Sequence, residues 1–240
     1  MAALADPSEG SYAGESDPAA PETKLMLRNR NGVSLLHGPD AAKNLTDEEA
    51  TSTVLTDATV PGPLSGSITE FSPCGSFLAI SGESAGGLVI HNTELSAPPL
   101  VVEAVGNVAK IGWSPLSTFV VTWQKNVAEG EEAGNLRVFR AATGEMVVSY
   151  AMRKLTAMSW PAMQWTADES VCMRSVTNEI HVYAGQDLAA GIADKIRCVG
   201  VAGFSICPAP GLPVRAAVYI PENKGKPAAV RIYALPNADT

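Results

Sequence analysis

This 240-residue sequence has few histidines, and its cysteines are not clustered. Both observations argue against particular classes of protein. The three histidines, His37, His91 and His181, are isolated and have no partner at the spacing of a metal site or a catalytic triad. The four cysteines lie far apart without a C-x-x-C pair, which argues against a zinc site and against a disulfide framework. We therefore expect reduced, mostly buried cysteines, no metal and no cofactor.

Basic residues are neither abundant nor clustered. The chain has 17 Lys and Arg against 25 Asp and Glu, a formal net charge of −8. Residues 1–23 hold five of the acidic residues and no basic ones, so the remainder has 20 acidic against 17 basic residues, a net charge of −3. A protein that binds nucleic acid over its whole surface needs clustered Lys and Arg. The composition therefore argues against a nucleic-acid-binding protein of this kind.

The sequence also lacks targeting and membrane-spanning segments. Its N-terminus has no basic stretch followed by an apolar one, and no apolar run approaches the ~18 residues of a membrane span. We therefore expect a cytoplasmic protein without membrane contact. Residues 1–23 are acidic and rich in Ala, Pro, Ser and Gly, so they bury too little apolar surface to offset their ordering entropy. They are predicted to form a disordered tail ahead of one domain, residues 24–240.

Helical periodicity is almost absent, with the segment 186–194 as its one candidate, and short strands repeat instead. Each of four units from Ser67 onward contains a strand, a tight turn, a returning strand and a third strand. An aromatic residue closes the first strand of each unit, at steps of 42, 52 and 39 residues: Phe71, Trp113, Trp165 and Phe204. Self-similarity of this period, built of short strands, is typical of a β-propeller. We predict an all-β, WD-repeat-like partial propeller of about four blades.

Two further patterns refine this prediction. The third strands align as 88–91, 136–139, 180–183 and 230–233, and in the last three a polar residue separates two aliphatic ones. This alternation predicts strands with one face in a core between sheets. Ahead of the repeats, residues from Lys24 are predicted to form two short strands, and residues 51–60 an edge strand or a loop.

Several segments resemble one known family. NLRVFRAATGEMVVSY, residues 135–150, is similar to a WD repeat in which Arg140 replaces the aspartate. Together with WPAMQWTADESVCMRSVTNEIHVY and especially RAAVYIPENKGKPAAVRIYALPN, it resembles eukaryotic translation initiation factor 2A, and the resemblance extends roughly over residues 24–237. FSPCGSFLAIS and the spacing WP-x-x-x-W also resemble the propeller-bearing subunit of initiation factor 3. The KGKPAAVRIY hairpin favours factor 2A.

The resemblance implies a function as well as a fold. It implies a nine-bladed propeller with a charged, partly helical tail, which binds the small ribosomal subunit and is linked to GTP-independent delivery of initiator methionyl-tRNA, in contact with other initiation factors. A sequence of about four blades is then expected to be a fragment or a truncated product. Its uncovered sheet faces predict marginal stability or aggregation. The other non-enzymatic alternative is a generic WD-repeat interaction scaffold.

Two basic pairs are the candidate contacts with ribosomal RNA. Arg153 and Lys154 follow a strand, and Lys224 and Lys226 flank Gly225 at a hairpin tip. Such side chains contact phosphates when they face RNA, although most surface lysines are simply solvated. They are candidates because the family that the chain resembles binds the ribosome.

The enzymatic alternative is a serine esterase. Gly82-Glu83-Ser84-Ala85-Gly86 matches the G-x-S-x-G nucleophile elbow and follows a predicted strand. An elbow opens a helix, whereas residues 87–92 have the pattern of a strand, and no oxyanion segment precedes the motif. A glycine-rich hairpin loop explains the motif better. We therefore predict no catalytic residues and a binding function.

Overall fold

The computed structural model describes residues 24–29, 32–37, 52–54, 68–82, 87–94, 96–102, 108–125, 134–152, 155, 157–211 and 213–235. Within these ranges the chain forms eighteen strands in five antiparallel sheets and two one-turn 3₁₀ helices, Ala157–Ser159 and Leu188–Ala190. The second of these helices lies in the segment that has the one helical pattern. The predicted disordered tail lies outside the described residues and stays a prediction.

The strands follow the chain from sheet to sheet. Sheet 1 contains β1 (Lys24–Asn29), β2 (Gly32–His37) and β3 (Ser52–Val54). Sheet 2 contains β4 (Ile68–Phe71), β5 (Phe77–Gly82), β6 (Gly87–Asn92) and β7 (Leu100–Val102). Sheet 3 contains β8 (Val108–Trp113), β9 (Phe119–Gln124), β10 (Leu136–Arg140) and β11 (Met146–Tyr150).

The last two sheets repeat this order. Sheet 4 contains β12 (Met163–Trp165), β13 (Val171–Val176), β14 (Glu179–Ala184) and β15 (Ile192–Arg197). Sheet 5 contains β16 (Gly203–Ile206), β17 (Val214–Ile220) and β18 (Ala229–Leu235). The four predicted third strands are β6, β10, β14 and β18, and the four predicted ring residues all lie in first strands.

Each sheet is a meander, and the sheets stack in chain order. Sequential strands are hydrogen-bonded neighbours in every sheet. The first strands of sheets 2 and 3 contact each other, as do those of sheets 4 and 5. Neighbouring propeller blades meet in this way along their inner strands. The prediction of an all-β, partial β-propeller is confirmed.

The structure contains one sheet more than the four repeated units. The hairpin that begins at Lys24 gains a third strand because β3 pairs with β2, and so forms sheet 1. Val33 and Leu35 of this sheet pack against Leu78, Ile80 and Val89 of sheet 2. The predicted edge strand is therefore confirmed for Ser52–Val54, the described residues of the segment 51–60.

Apolar cores lie between consecutive sheets. Four clusters join sheet 1 to 2, 2 to 3, 3 to 4 and 4 to 5. The middle sheets are consequently buried on both faces, and all six residues of β9 are buried. In the middle sheets this differs from the prediction of one buried face, because their polar positions also face a second sheet. Arg137 is an example, with only 2% of its surface exposed.

In sheets 2 to 5, the turns between first and second strands form one rim of the stacked sheets, here called the lower rim. In sheets 2 to 4 the fourth turn residue has a positive φ, at Gly75, Ser117 and Glu169. The Oγ of Ser117 accepts a hydrogen bond of 3.1 Å from the amide of Cys74, and Oε1 of Glu169 accepts one of 2.8 Å from the amide of Leu116. The same turn position thus links sheets 3 and 4 each to the preceding sheet.

Candidate binding rim

The opposite rim carries the connections between sheets and, in sheets 2 to 5, the loops between second and third strands, and is called the upper rim. In sheet 5 the loop from β17 to β18 ends in a tight hairpin in which Asn223 and Lys226 exchange two backbone hydrogen bonds of 3.1 and 3.0 Å. Lys224 and Gly225 between them have φ of 47° and 79°. Two successive positive φ values characterise a type I′ turn, for which glycine at the second position is favourable.

This hairpin presents the second predicted basic pair to solvent. Lys224 and Lys226 are both exposed, as expected for residues at a hairpin tip. Arg153 and Lys154, the first pair, lie outside the described residues. The predicted hairpin is confirmed, whereas contact of either pair with RNA stays a prediction.

A groove of about 930 Å³ opens at the upper rim where sheets 3, 4 and 5 end. Its walls come from the connector after β11, the turn after β13, the connector before β16 and the end of β17. Most of the lining is apolar: Met152, Met158, Ala162, Val176, Val201 and Pro221. Met158 is 53% exposed, so a large apolar side chain faces solvent here. Grooves of this size and lining are typical binding sites.

Arg174 is the one cation among the described residues of this lining. The guanidinium carbon of Arg174 stands 4.0 Å from the centroid of the Tyr150 ring, and its Nε and Nη2 lie 3.4 Å from the hydroxyl oxygen of Tyr183. This contact with Tyr150 across the gap between sheets 3 and 4 restricts the orientation of the guanidinium. No carboxylate among the described residues forms an ion pair with Arg174.

Burial changes the pKa of Tyr150, the ring that lies against Arg174. Desolvation, reinforced by the neighbouring Tyr183, raises the pKa of the Tyr150 phenol well above its ordinary value, and the charge of Arg174 opposes the rise only in part. The Tyr150 and Tyr183 rings are 5.7 Å apart and tilted by 49°. Tyr150 therefore supports the guanidinium as an uncharged ring.

A second polar group lies next to Tyr183 on sheet 4. Nε2 of His181 is 3.0 Å from Oε2 of Glu179, and Nζ of Lys195 is 3.8 Å from the same oxygen. The hydrogen bond with His181, followed by the charge of Lys195, lowers the pKa of the Glu179 carboxyl. His181 lies in a third strand, as expected, and so does His91 in β6. Neither residue is near a group of side chains that is placed to hold a metal within the described part of the chain.

The tryptophans fill space between sheets. Trp165 is buried and stacks on Phe119 of sheet 3, with ring centroids 6.2 Å apart. Trp113 stacks on Phe77 at the same distance, and Trp160 packs against the core between sheets 3 and 4. The expectation that cysteines are mostly buried holds for Cys172 and Cys198 but not for Cys74 and Cys207, which are exposed.

The G-x-S-x-G motif lies between two antiparallel strands. Gly82 ends β5 and pairs directly with Gly87, the first residue of β6. Residues 83–86, including Ser84, lie outside the described residues. The strand that follows them is incompatible with the strand-turn-helix geometry of a nucleophile elbow.

Sequence reasoning missed Arg174 and the groove beside it. Arg174 follows Met173 in an ordinary alternating strand, and the ring on which it stacks is 24 residues earlier, in another sheet. A local pattern contains no signal for a contact of this kind. The polar position in a middle sheet is the only indication, because such a side chain must find a partner on the neighbouring sheet.

Comparisons with known proteins agree with the fold. No family model matches the chain. A protein of Schizosaccharomyces pombe named eukaryotic translation initiation factor 2A is 36% identical over 169 residues, which is 70% of this chain and 28% of that protein. A protein of the same name from Dictyostelium discoideum is 28% identical over 55% of this chain and 22% of its own length. The chain thus spans about a quarter of the length of these curated relatives.

A more distant relative and a solved structure complete the comparison. A Cryptococcus neoformans protein, named as a subunit of eukaryotic translation initiation factor 3, is 26% identical over 55% of this chain and 22% of its own length. A crystal structure described as that of a eukaryotic initiation factor superposes with a TM-score of 0.72 at 30% identity, covering 92% of this chain and 51% of that one. The chain therefore belongs to the family of eukaryotic translation initiation factor 2A, as its sequence predicted.

Proposed function

We propose that this chain acts in translation initiation as a non-enzymatic scaffold that docks on the small ribosomal subunit, and that it takes part in GTP-independent delivery of initiator methionyl-tRNA. The observation that carries the proposal is the 36% identity to a protein named initiation factor 2A over most of the chain. Other initiation factors are the further proposed partners. The proposed site of action is the cytoplasm, where ribosomes assemble on messenger RNA.

The upper rim is the surface that we assign to this docking. Loops carried on rigid strands are the usual recognition elements of a scaffold fold. Lys224 and Lys226 project from a tight hairpin on this rim, and Arg153 and Lys154 belong to the connector between β11 and β12. Lysines fixed on a hairpin contact phosphates with little loss of backbone entropy. The rim thus offers local basic contacts on a body that is otherwise near neutral in charge.

Co-sedimentation with purified small ribosomal subunits tests this function. The wild-type chain is expected to pellet with the subunits, and the double substitution Lys224→Gln with Lys226→Gln is expected to weaken binding. Each lost phosphate contact means that one counterion fewer is released on binding. The plot of log affinity against log salt concentration is therefore expected to become shallower by about one unit of slope per lysine.

A matched control removes two charges from the body of the same sheet. Arg215→Gln with Arg231→Gln changes exposed arginines on β17 and β18 and leaves the hairpin tip intact. This control is expected to retain the salt dependence of the wild type. Absence of co-sedimentation at low salt would refute ribosome docking, and equal weakening by both double variants would refute the assignment to the hairpin.

A further inference from the structure

We propose that the groove at the upper rim is a docking site for a peptide segment of another protein, one that carries apolar side chains next to a carboxylate. This inference goes beyond ribosome docking, because it concerns the apolar groove of the upper rim and not the basic residues of that rim. It rests on three features of the groove: its apolar walls, its adaptable side chains and Arg174, the one cation of its described lining.

The walls favour apolar side chains of a partner. Met152, Val176, Val201 and Pro221 line the groove between the ends of three sheets, and Met158 stands at its edge with 53% of its surface exposed. Large apolar side chains that gather at a concave site mark an interaction surface, whereas single exposed ones carry no such meaning.

Methionine gives the groove the ability to adapt. Met152 and Met158 come from the connector between β11 and β12 and lie on the same wall. The unbranched thioether side chain adjusts its rotamers to different apolar shapes, which is why methionine is common on peptide-binding surfaces. The backbone of Met158 packs closely against Gly203: the Met158 carbonyl oxygen lies only 3.2 Å from the position that a Cβ on Gly203 would occupy. This close packing fixes the position of the Met158 backbone.

Arg174 supplies the contact that specifies an anion. Its guanidinium carbon lies over the Tyr150 ring, 4.0 Å from the ring centroid, and within the described part of the chain its hydrogen bonds go to the hydroxyl of Tyr183. An arginine has five donor N–H groups, so most of these remain available to a ligand. A planar, preoriented guanidinium in a partly apolar site binds a carboxylate through two parallel hydrogen bonds.

The count of charges favours a peptide over RNA. Among the described lining residues Arg174 is the one cation, whereas an RNA backbone presents a negative charge at every nucleotide and requires a row of basic side chains. A peptide needs one charged contact to fix its register and apolar anchors to supply affinity. The basic hairpin tip at Lys224 and Lys226 is a separate surface on the same rim.

Fluorescence anisotropy with defined peptides tests the proposal. The probe is a fluorescein-labelled mixture of synthetic peptides of about twelve residues that carry Leu, Phe or Met beside Asp or Glu, and the comparison mixture has Asn or Gln in place of each acid. The wild-type chain is expected to bind the acidic mixture roughly tenfold more tightly than the amide mixture, which corresponds to one charge-assisted contact.

Three substitutions assign this binding to the groove. Arg174→Gln is expected to abolish the preference for the acidic mixture, and Arg174→Lys to restore only part of it, because lysine lacks the planar group that stacks on Tyr150. Met158→Glu, at an exposed position, is expected to weaken both mixtures roughly tenfold. Met146→Glu is the control, since Met146 is 45% exposed on β11 but does not line the groove.

Thermal melts of all variants establish that the fold is intact. Equal binding of the two mixtures, or equal effects of Met158→Glu and Met146→Glu, would overturn the proposal, as would the absence of any peptide binding. A labelled oligouridylate serves as the RNA probe. If it binds with the same dependence on Arg174 and Met158 while the peptides do not bind, the groove is an RNA site and the proposal is wrong.

Discussion

Cys74 lies in an exposed turn at the lower rim, where polar groups surround its sulfur. Its Sγ is 3.4 Å from Oγ of Ser72 and accepts a hydrogen bond of 3.5 Å from the amide of Ser76. Partial burial raises the pKa of the thiol, but hydrogen bonding, chiefly with Ser117 and Ser72, outweighs it and lowers the pKa to about 7. The thiolate is the nucleophile, so this turn contains a reactive sulfur.

Alkylation of Cys74 is therefore predicted to follow an unusually low pH midpoint. Its rate with iodoacetamide should reach half of its maximum near pH 7, as measured by mass spectrometry of the modified peptide. In urea the same residue should titrate near the ordinary value of about 8.5. Ser72→Ala is expected to move the native midpoint upward, and a midpoint that is the same in native and unfolded chains would contradict this prediction.

Glu169 shows how one side chain joins two sheets. It is fully buried, and its Oε1 accepts a hydrogen bond of 2.8 Å from the amide of Leu116 in the neighbouring turn. Glu169→Ala leaves that amide without its acceptor and is predicted to lower the free energy of unfolding by about 2 kcal/mol.

Glu169→Gln separates the hydrogen bond from the charge. The amide oxygen of glutamine can replace Oε1, so this variant is expected to lose less stability than Glu169→Ala in urea denaturation. If the two variants are equally stable, the hydrogen bond from the Leu116 amide does not contribute to the stability of the contact between sheets 3 and 4.

At the level of the element, two glycines are required by close approach of another chain segment. A Cβ on Gly185, just after β14, would lie 2.2 Å from the carbonyl oxygen of Glu169, and one on Gly134, just before β10, would lie 2.0 Å from the carbonyl carbon of Tyr150. Both neighbours are backbone atoms, which cannot rotate away. Each position therefore admits no side chain unless a strand shifts.

Gly185→Ala is accordingly predicted to destabilise sheet 4 by about 3 kcal/mol, the upper part of the usual range for overpacking. Gly225→Ala is the matched control, because Gly225 has φ of 79° but open space around its Cβ position. Only the backbone strain of about 1 kcal/mol is expected there. Urea denaturation monitored by tryptophan fluorescence measures both losses, and equal losses would show that the close approach is relieved by small movements.

Strands were predictable from this sequence because each repeat carries the same local signals. A ring residue, a turn with Pro or Gly and a returning apolar run identify β4 with β5 and β8 with β9 from the order of residues alone. The burial of Arg137 and the stacking of Arg174 on Tyr150 were not predictable, since both depend on which sheet faces which. The groove was not predictable for the same reason, because its walls come from three sheets.

The whole molecule is a stack in which each sheet depends on its neighbours. Four apolar clusters join consecutive sheets, so sheets 2 to 4 are covered on both faces. Within the described ranges, sheet 4 covers one face of sheet 5, and the other face is uncovered. Val214, Ala216 and Val218 of β17 lie on the covered face and pack toward sheet 4. The alternate residues of β17 and β18 point away from that core.

This outward face of sheet 5 is predicted to cause self-association of the 240-residue chain. Val230 and Ile232 are 64% and 65% exposed on β18, opposite Tyr219 and Ala217 of β17. An apolar sheet face of this kind is an aggregation site when no other surface covers it. Sedimentation velocity should show an average mass that rises with concentration, and Val230→Glu with Ile232→Glu should abolish the rise without lowering the melting temperature.

Val199→Glu is the control for that double substitution, because Val199 is 80% exposed but lies in a turn and not on the sheet face. It removes a large apolar surface and adds one negative charge, so it corrects for the general effect of charge on solubility. Self-association is expected to persist in this control. A wild-type chain that stays monomeric at every concentration would show that the exposed face of sheet 5 is too small to drive association.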